Sequence, residues 1–381
     1  MTTLSLGSLQ DKIRDPEFAL ARINATYQPG GGPGSRVFPP TFPTSSSGDS
    51  PYLMEERACD GSSRRAVVLD QVPSQANRCE EALKTARQAG EIRLPLLKLT
   101  HDGAAKAVIT GLDAPHRAFD AYWRDSLLDG EKFDRTPVGK ALQATSLEDA
   151  TALLQYDPAT LVYGGWNSHR KGRQAKFPRF YSSEVVGWDP VVGTRKAGRM
   201  DPLNLTGARN GDGDEWTYSP AAAKNAKAKL SEIGHGNIAP NPAHGGVTVT
   251  EVTRFSTLSL TAVRRIRFGS LGVNTQFAAS TLLVALALLG DRLAFGGAGI
   301  WLRSGCDLVV ETETLEWIGR GGVVEPFSLS IGEAVSLYDE ALEAAIESGV
   351  PMHLETIELT PSKALAAAID FTVTKAESSG E

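Results

Sequence analysis

The stretch Phe277 to Leu289 is the longest apolar run in the chain, 13 residues relieved only by Ser280 and Thr281. A bilayer span needs about 20 such residues. The run therefore predicts a helix, Thr275 to Leu289, that is apolar on all sides and buried in a folded core. The remaining periodicity supplies what could cover it. Ala66 to Leu69 is a short β-branched run. Pro73 and Ser74 then open a helix with Ala76, Cys79, Leu83 and Ala86 at helical spacing before Gly90. Strands are expected at Ile92 to Leu99 and Ala107 to Thr110, around the His101-Asp102-Gly103 turn. Helical stretches follow from Pro115 to Leu128 and from Val138 to Gln155, the second stopped by Asp157-Pro158. Leu161 to Trp166, Tyr181 to Val186, Val247 to Val252, Thr257 to Phe268, Gly299 to Arg303, Asp307 to Glu313 and Leu354 to Leu359 read as strands. Ile331 to Glu347 reads as a helix. Strands and helices in this irregular order imply an α+β fold, an antiparallel sheet with helices on one face. An RRM-like or ferredoxin-like core with long insertions fits.

Two segments break the pattern. Gln28 to Pro51 is rich in Gly, Pro and Ser, as an extended surface loop would be. Gly193 to Gly246 is glycine-rich, charged and poorly periodic, apart from an alanine-lysine helix at Pro220 to Leu230. A stretch that long inside a compact domain reads as a functional insertion. The 381 residues then divide into an N-terminal segment (1–51), a first part of the core with a helical insertion (52–190), an arm (191–250), and the rest of the core with the C-terminal region (251–381). Cys59, Cys79 and Cys306 are far apart and form no CxxC pair, so a zinc ribbon or disulfide scaffold is not supported. Met1 to Asp11 has no basic-then-apolar leader, and a cytoplasmic location is expected.

The net charge of −6 argues at first sight against a nucleic-acid partner. Resolved along the chain it does not. Residues 161–200 carry +6, while residues 301–381 hold 15 acidic side chains against four basic ones. A second basic cluster is formed by Arg254, Arg264, Arg265 and Arg267. In the first cluster the cations alternate with Trp166, His169, Phe177, Phe180 and Tyr181. Cations neutralise phosphates and flat rings stack on unpaired bases, the combination that single-stranded nucleic acid requires.

An ordered series of motifs over most of the chain carries a resemblance. It includes Phe38 to Pro43, Ser74 to Glu80, Asp113 to Arg117, Arg124 to Ser126, Asp157-Pro158, Gly164-Gly165-Trp166-Asn167-Ser168-His169-Arg170, Ser183 to Gly187, Asp201 to Leu203, Leu230 to Ile238 and Leu302 to Leu308. In this series the chain resembles the RAMP-superfamily CRISPR-associated backbone subunits of type I-U (I-G) Cascade effector complexes. It departs from them in lacking a glycine between Thr41 and Phe42, and in reading Asp70 to Gln75 where the family has Glu-Ser-Ala-Gln-Ser-Met. The resemblance implies an RRM-like palm carrying finger and thumb insertions. It implies copies stacked head-to-tail along the spacer part of a CRISPR RNA, other Cascade subunits as partners, and target DNA read through the guide by base pairing. The acidic C-terminal third of one copy could then meet a basic surface of the next.

The residues expected to bind RNA are Trp166, Asn167, Ser168, His169, Arg170, Lys171 and Arg173, then Lys176 and Arg179. Asn77 and Arg78 on the early helix, His116 and Arg117, and Arg264, Arg265 and Arg267 complete the set, with at least one of the last three facing the interior. No cofactor, metal, membrane or catalytic role is expected. The alternative is a RAMP-type ribonuclease, with His169 as acid/base or Asp157 or Asp189 as a cleavage aspartate. His235 and His244 lie without a carboxylate motif, and Gly296 to Gly299 lacks the Lys-Ser/Thr of a phosphate loop.

Overall fold

The computed structural model describes residues 2–44, 49–59, 61–167, 175–210, 216–220 and 228–379. Its centre is an α+β sheet of the expected class, but the strand in the middle of that sheet comes from the N-terminal segment, where none was expected. Strand β1 (Phe18–Pro29) alternates buried Ala21, Ile23, Ala25 and Tyr27 with half-buried Arg22, Asn24, Thr26 and Gln28. The hairpin β2 (Met54–Cys59) and β3 (Ser62–Asp70) precedes helix α1 (Val72–Gln88). Strand β4 (Tyr181–Trp188) is followed, after the arm strands β5 (Val191–Arg199) and β6 (Ile238–Thr248), by β7 (Glu251–Ser259). Helix α2 (Val273–Phe295), strand β8 (Cys306–Gly319) and helix α3 (Ile331–Glu347) follow.

Across the sheet these run β8, β1, β7, β4, every neighbouring pair antiparallel. Taken in chain order, β1-α1-β4-β7-α2-β8 is the βαββαβ path of a ferredoxin-like or RRM-like palm. The β2–β3 hairpin extends the sheet beyond β4. Val324–Ser328 and Thr2–Thr3 extend it beyond β8, making nine strands with Gly299–Arg303 paired on β8. α1 and α2 lie side by side over the face that buries Val252, Arg254, Ser256 and Leu258 of β7. α2 is buried along most of its length, between the sheet, α1 and α3.

The glycine in the C-terminal part of α2 shows how tight this is. A Cβ at Gly290 would fall 2.3 Å from Tyr163 Oη and 3.4 Å from Cys79 Cβ. Tyr163 is buried and cannot swing away. Gly290→Ala is expected to cost about 1–3 kcal/mol by overpacking, read from denaturant unfolding. Tyr163→Phe in the same chain should recover part of it, and no loss in the single variant would contradict the packing.

Several expectations are corrected. Leu161 to Trp166 is not one strand. Pro158–Tyr163 is a helical turn, started by the Asp157 cap and Pro158, and only Gly165–Asn167 is extended. Pro115 to Leu128 holds two single turns and a short strand. Val138 to Gln155 is split into Pro137–Ala144 and Thr151–Tyr156, because Ser146 and Asp149 bond to each other and close a turn. Thr257 to Phe268 leaves the sheet at Ser259, whose hydroxyl caps the turn Leu260–Val263. Leu96–Asp102, Lys106–Thr110, Ser126–Leu128, Glu131–Lys132 and Thr356–Pro361 form a separate five-stranded sheet. It brings the C-terminal region onto the segment after α1.

The arm is more ordered than its composition suggested. β5 and β6 pair antiparallel, and Ala208–Asn210, Thr217–Ser219 and Ala228–Lys229 make a small sheet beyond them. Most of β5 is exposed on both faces, so no apolar alternation marks it in the sequence. Arg199 donates to the His235 and Gly236 carbonyls, and Asp201 accepts from the Gly236 N–H, fastening the two sides. The expected helix at Pro220 to Leu230 falls largely outside the described residues; its end, Ala228–Lys229, is extended.

Candidate nucleic-acid interface

The basic, aromatic stretch is mounted on a short hairpin, and the hairpin on a buried seat. Asp157 begins the seat: its carboxylate accepts from the Thr160 N–H at 3.3 Å and the Thr160 hydroxyl at 2.9 Å. The turn ends at Gly164, whose φ of +91° suits glycine. The hairpin strands are Gly165–Asn167 and Ala175–Phe177. A Cβ at Gly165 would fall 2.6 Å from Thr160 Cγ2 and 3.1 Å from the Phe119 ring. The foot of the hairpin thus rests directly on Thr160 and Phe119. Phe177, opposite Gly165, stacks on Phe119 with centroids 6.1 Å apart and planes 17° apart. Phe177 and Phe180 are therefore anchors of the hairpin, both buried.

The next pair outward points the other way. Trp166 lies opposite Lys176, half of its surface is exposed, and the Lys176 ammonium stands 5.9 Å from the indole centroid. An exposed ring with a cation beside it on a rigid foot can stack on a base while the cation meets its phosphate. Asn167 ends the strand and lines a pocket of about 540 Å³ with Phe119, Trp123, Lys140 and Gln143. Ser168, His169, Arg170, Lys171 and Arg173 lie outside the described residues.

The structure also brings the second basic cluster to this place. Arg265 and Arg267, both exposed, line a pocket with Phe177 and Pro178, next to the exposed Arg179. Nothing in the sequence joins these segments, which are nearly 90 residues apart. Asn77 is exposed on α1, and His116 is exposed, its N–H donating to the Asp120 carboxylate.

Three of the expected contacts have their guanidinium groups committed to the fold. Arg78 donates to the buried Asp70 carboxylate at 2.8 Å and to the Trp301 and Leu302 carbonyls. Arg264 turns inward onto the carbonyls of Lys12, Ile13, Asp15 and Phe18, tying the end of the N-terminal helix Leu6–Arg14 and the start of β1 to the turn after β7. Arg117 has a φ of +50° and donates to the Gly164 carbonyl at 2.9 Å and to the Glu80 carboxylate at 2.8 Å. It holds the hairpin from beneath. Two buried carboxylates of the seat are perturbed. Burial pushes Glu80 up to about 7, the charge of Arg117 only partly opposing it. Burial pushes Asp157 up to about 6 against its bonds to Thr160.

Glu80, Phe119, Asp157 and Thr160 were not singled out as one unit by the sequence. They are far apart along the chain, and each is an ordinary residue of its own element. Asp189, the other imagined cleavage residue, accepts from Arg64 at 2.7 Å and from the Thr250 hydroxyl at 2.8 Å. Among the described residues no group of three or more His, Cys, Asp or Glu is placed to hold a metal ion.

Residues 21–191 match the family described as CRISPR-associated protein GSU0053. The match covers 171 of the 381 residues, and over these the chain is similar to that CRISPR-associated family. No curated protein matches. The matched stretch begins in β1 and ends at the first residue of the arm. It contains the whole seat and hairpin, from Glu80 and Arg117 through Asp157 to Lys176. The arm beyond Val191, β7, α2 and the Arg265–Arg267 turn lie outside it.

Proposed function

We propose that this CRISPR-associated chain is an RNA-binding backbone subunit without catalytic activity of its own. It would hold the spacer part of a CRISPR RNA, with further copies head-to-tail and other Cascade subunits of a type I-U complex, while the guide reads target DNA by base pairing. The observation that carries this reading is the exposed Trp166–Lys176 pair on a buried seat, with Arg179, Arg265 and Arg267 close around the same foot. Such a surface recognises a phosphate backbone and unpaired bases without reading sequence. The β5–β6 arm, standing off the palm with Arg195 and Lys196 on it, supports the thumb expected of such a subunit.

Co-expression with a CRISPR array and extraction of bound RNA tests the proposal. RNA of uniform length is expected, and clean protein with no affinity for single-stranded RNA would overturn it. If about four phosphates are neutralised per subunit, log affinity should fall with log salt at a slope near −3, about 50-fold between 50 and 200 mM. Affinity indifferent to salt would contradict the electrostatic part. Incubation of the complex with matched RNA and DNA and divalent metal is expected to leave both intact. Metal-dependent cleavage abolished by one Asp or His substitution would make the chain a nuclease instead.

A further inference from the structure

The pocket at the foot of the hairpin differs in kind from the exposed Trp166 surface. It encloses about 490 Å³ between three segments. Its floor and walls are apolar: Leu161, Phe177, Phe180 and Ile266, with the exposed Leu147 and Pro178 at the mouth. Its charged lining residues are Arg265, Arg267 and Glu148, and the Glu148 carbonyl accepts from the Gly269 N–H. The turn that carries the arginines is rigid. Its Ala150 partner donates to the Arg267 carbonyl at 2.8 Å, and Arg264 anchors it to four carbonyls between Lys12 and Phe18. Arg267 also donates to the Arg264 carbonyl at 2.9 Å, which sets its guanidinium along the rim.

An apolar cavity with two exposed cations at its mouth suits a ligand that is flat and apolar in the middle and anionic at both sides. We infer that this pocket is a nucleotide subsite: one unstacked base of a single strand enters between Leu147, Phe177 and Ile266, and the phosphates on either side meet Arg265 and Arg267. The inference rests on the single-stranded RNA reading above and adds a second place where a base is held. One feature favours a nucleotide over an acidic peptide. Phe177 lines this pocket and is the neighbour of Lys176 in the hairpin strand, so a single strand stacked at Trp166 has the pocket one residue away along that strand.

The test uses the full chain and an unstructured RNA oligonucleotide carrying 4-thiouridine. Photoadducts are expected on residues 177–180 or 262–267 as well as on the hairpin. The double variant Arg265→Ala/Arg267→Ala should lose these adducts while keeping those on the hairpin. Its salt slope should be shallower by about 1.4, so that the affinity ratio between 50 and 200 mM salt falls about sevenfold. A wild-type chain that binds RNA with adducts on the hairpin alone, and an unchanged slope in the double variant, would overturn the subsite and leave the broader reading standing. Loss of complex assembly in the double variant with RNA affinity intact would make the pocket a protein-docking surface and overturn it too. No RNA binding by the wild-type chain would overturn both.

Discussion

Asp291→Ala is expected to lose about 3–5 kcal/mol of stability, because it strands buried guanidinium charge in the palm core. Arg254 in the middle of β7 is fully buried and pairs with Asp291 of α2 at 2.7 Å. Arg292, also buried, donates to Asp291 and, at 2.7 Å, to Glu313 of β8. The Tyr181 hydroxyl of β4 donates to the same Asp291 oxygen at 2.7 Å. This carboxylate thus joins β4 and β7 to the central helix, and Arg292 carries the network on to β8. The neighbouring cations hold it well below the usual carboxylate range, although burial alone would raise it. A depressed pKa gives stability that is present above about pH 4 and is lost as the pH falls below it. Asp291→Ala should therefore unfold several degrees lower than wild type at pH 7, and the gap should narrow towards pH 3. Glu358→Ala is the control. It removes the exposed Lys98–Glu358 pair and should cost less than about 1 kcal/mol. A loss from Asp291→Ala no larger than the control's would show that the palm does not depend on this network. Replacing Arg254 and Asp291 together by apolar side chains of similar size should recover much of the loss, since the penalty lies in the unpaired charge.

This network also shows where the sequence is informative and where it is silent. Much of the palm was legible because its elements bury one face, although β1, which alternates in the same way, was not expected as a strand. Ala76, Cys79, Leu83 and Ala86 repeat with the period of a helix, and all four are buried in α1. The run Phe277 to Leu289 announced a helix covered on all sides, and α2 is that helix. Elements without a buried face left no such trace: β5 is extended and exposed, and its composition resembled a loop. The site was legible in its chemistry and not in its geometry. Rings and cations could be read from residues 161–181, but a charge in a sequence does not say which way it points. Arg78, Arg117 and Arg264 looked like phosphate ligands and bond instead to Asp70, to Glu80 and to backbone carbonyls. Arg265 and Arg267 looked like their equals and stand at the rim of a pocket. The difference is set by partners distant in the chain, which periodicity cannot supply.

Arg117 separates a residue that contacts RNA from one that places the contact. Its guanidinium is shared between Glu80 and the Gly164 carbonyl. Arg117→Ala should leave Glu80 buried without its cation and free the first residue of the hairpin. A loss of about 3–5 kcal/mol is expected for breaking a buried pair. Arg117→Lys, which keeps the charge but not the fork, is the milder variant. It should weaken RNA binding while leaving the salt slope unchanged, because no phosphate contact has been removed. A phosphate ligand would behave otherwise: its neutralisation by Arg117→Ala would reduce the slope by about 0.7. The pH dependence follows from Glu80. Its folded pKa is raised, so its favourable contribution is complete below about pH 4 and is lost as the pH climbs through 7. Glu80→Gln removes that titration. Relative to wild type, the Gln variant should gain stability steadily from pH 5 to 8, with Asp157, raised to about 6, leaving a smaller residual slope in both chains. Parallel pH–stability curves for the two chains would mean that Glu80 ionises as if exposed and that the seat is not the buried clamp described. A curve that converges only at low pH, with an RNA salt slope that never moves, would place Arg117 and Glu80 beneath the binding surface as the parts that aim it.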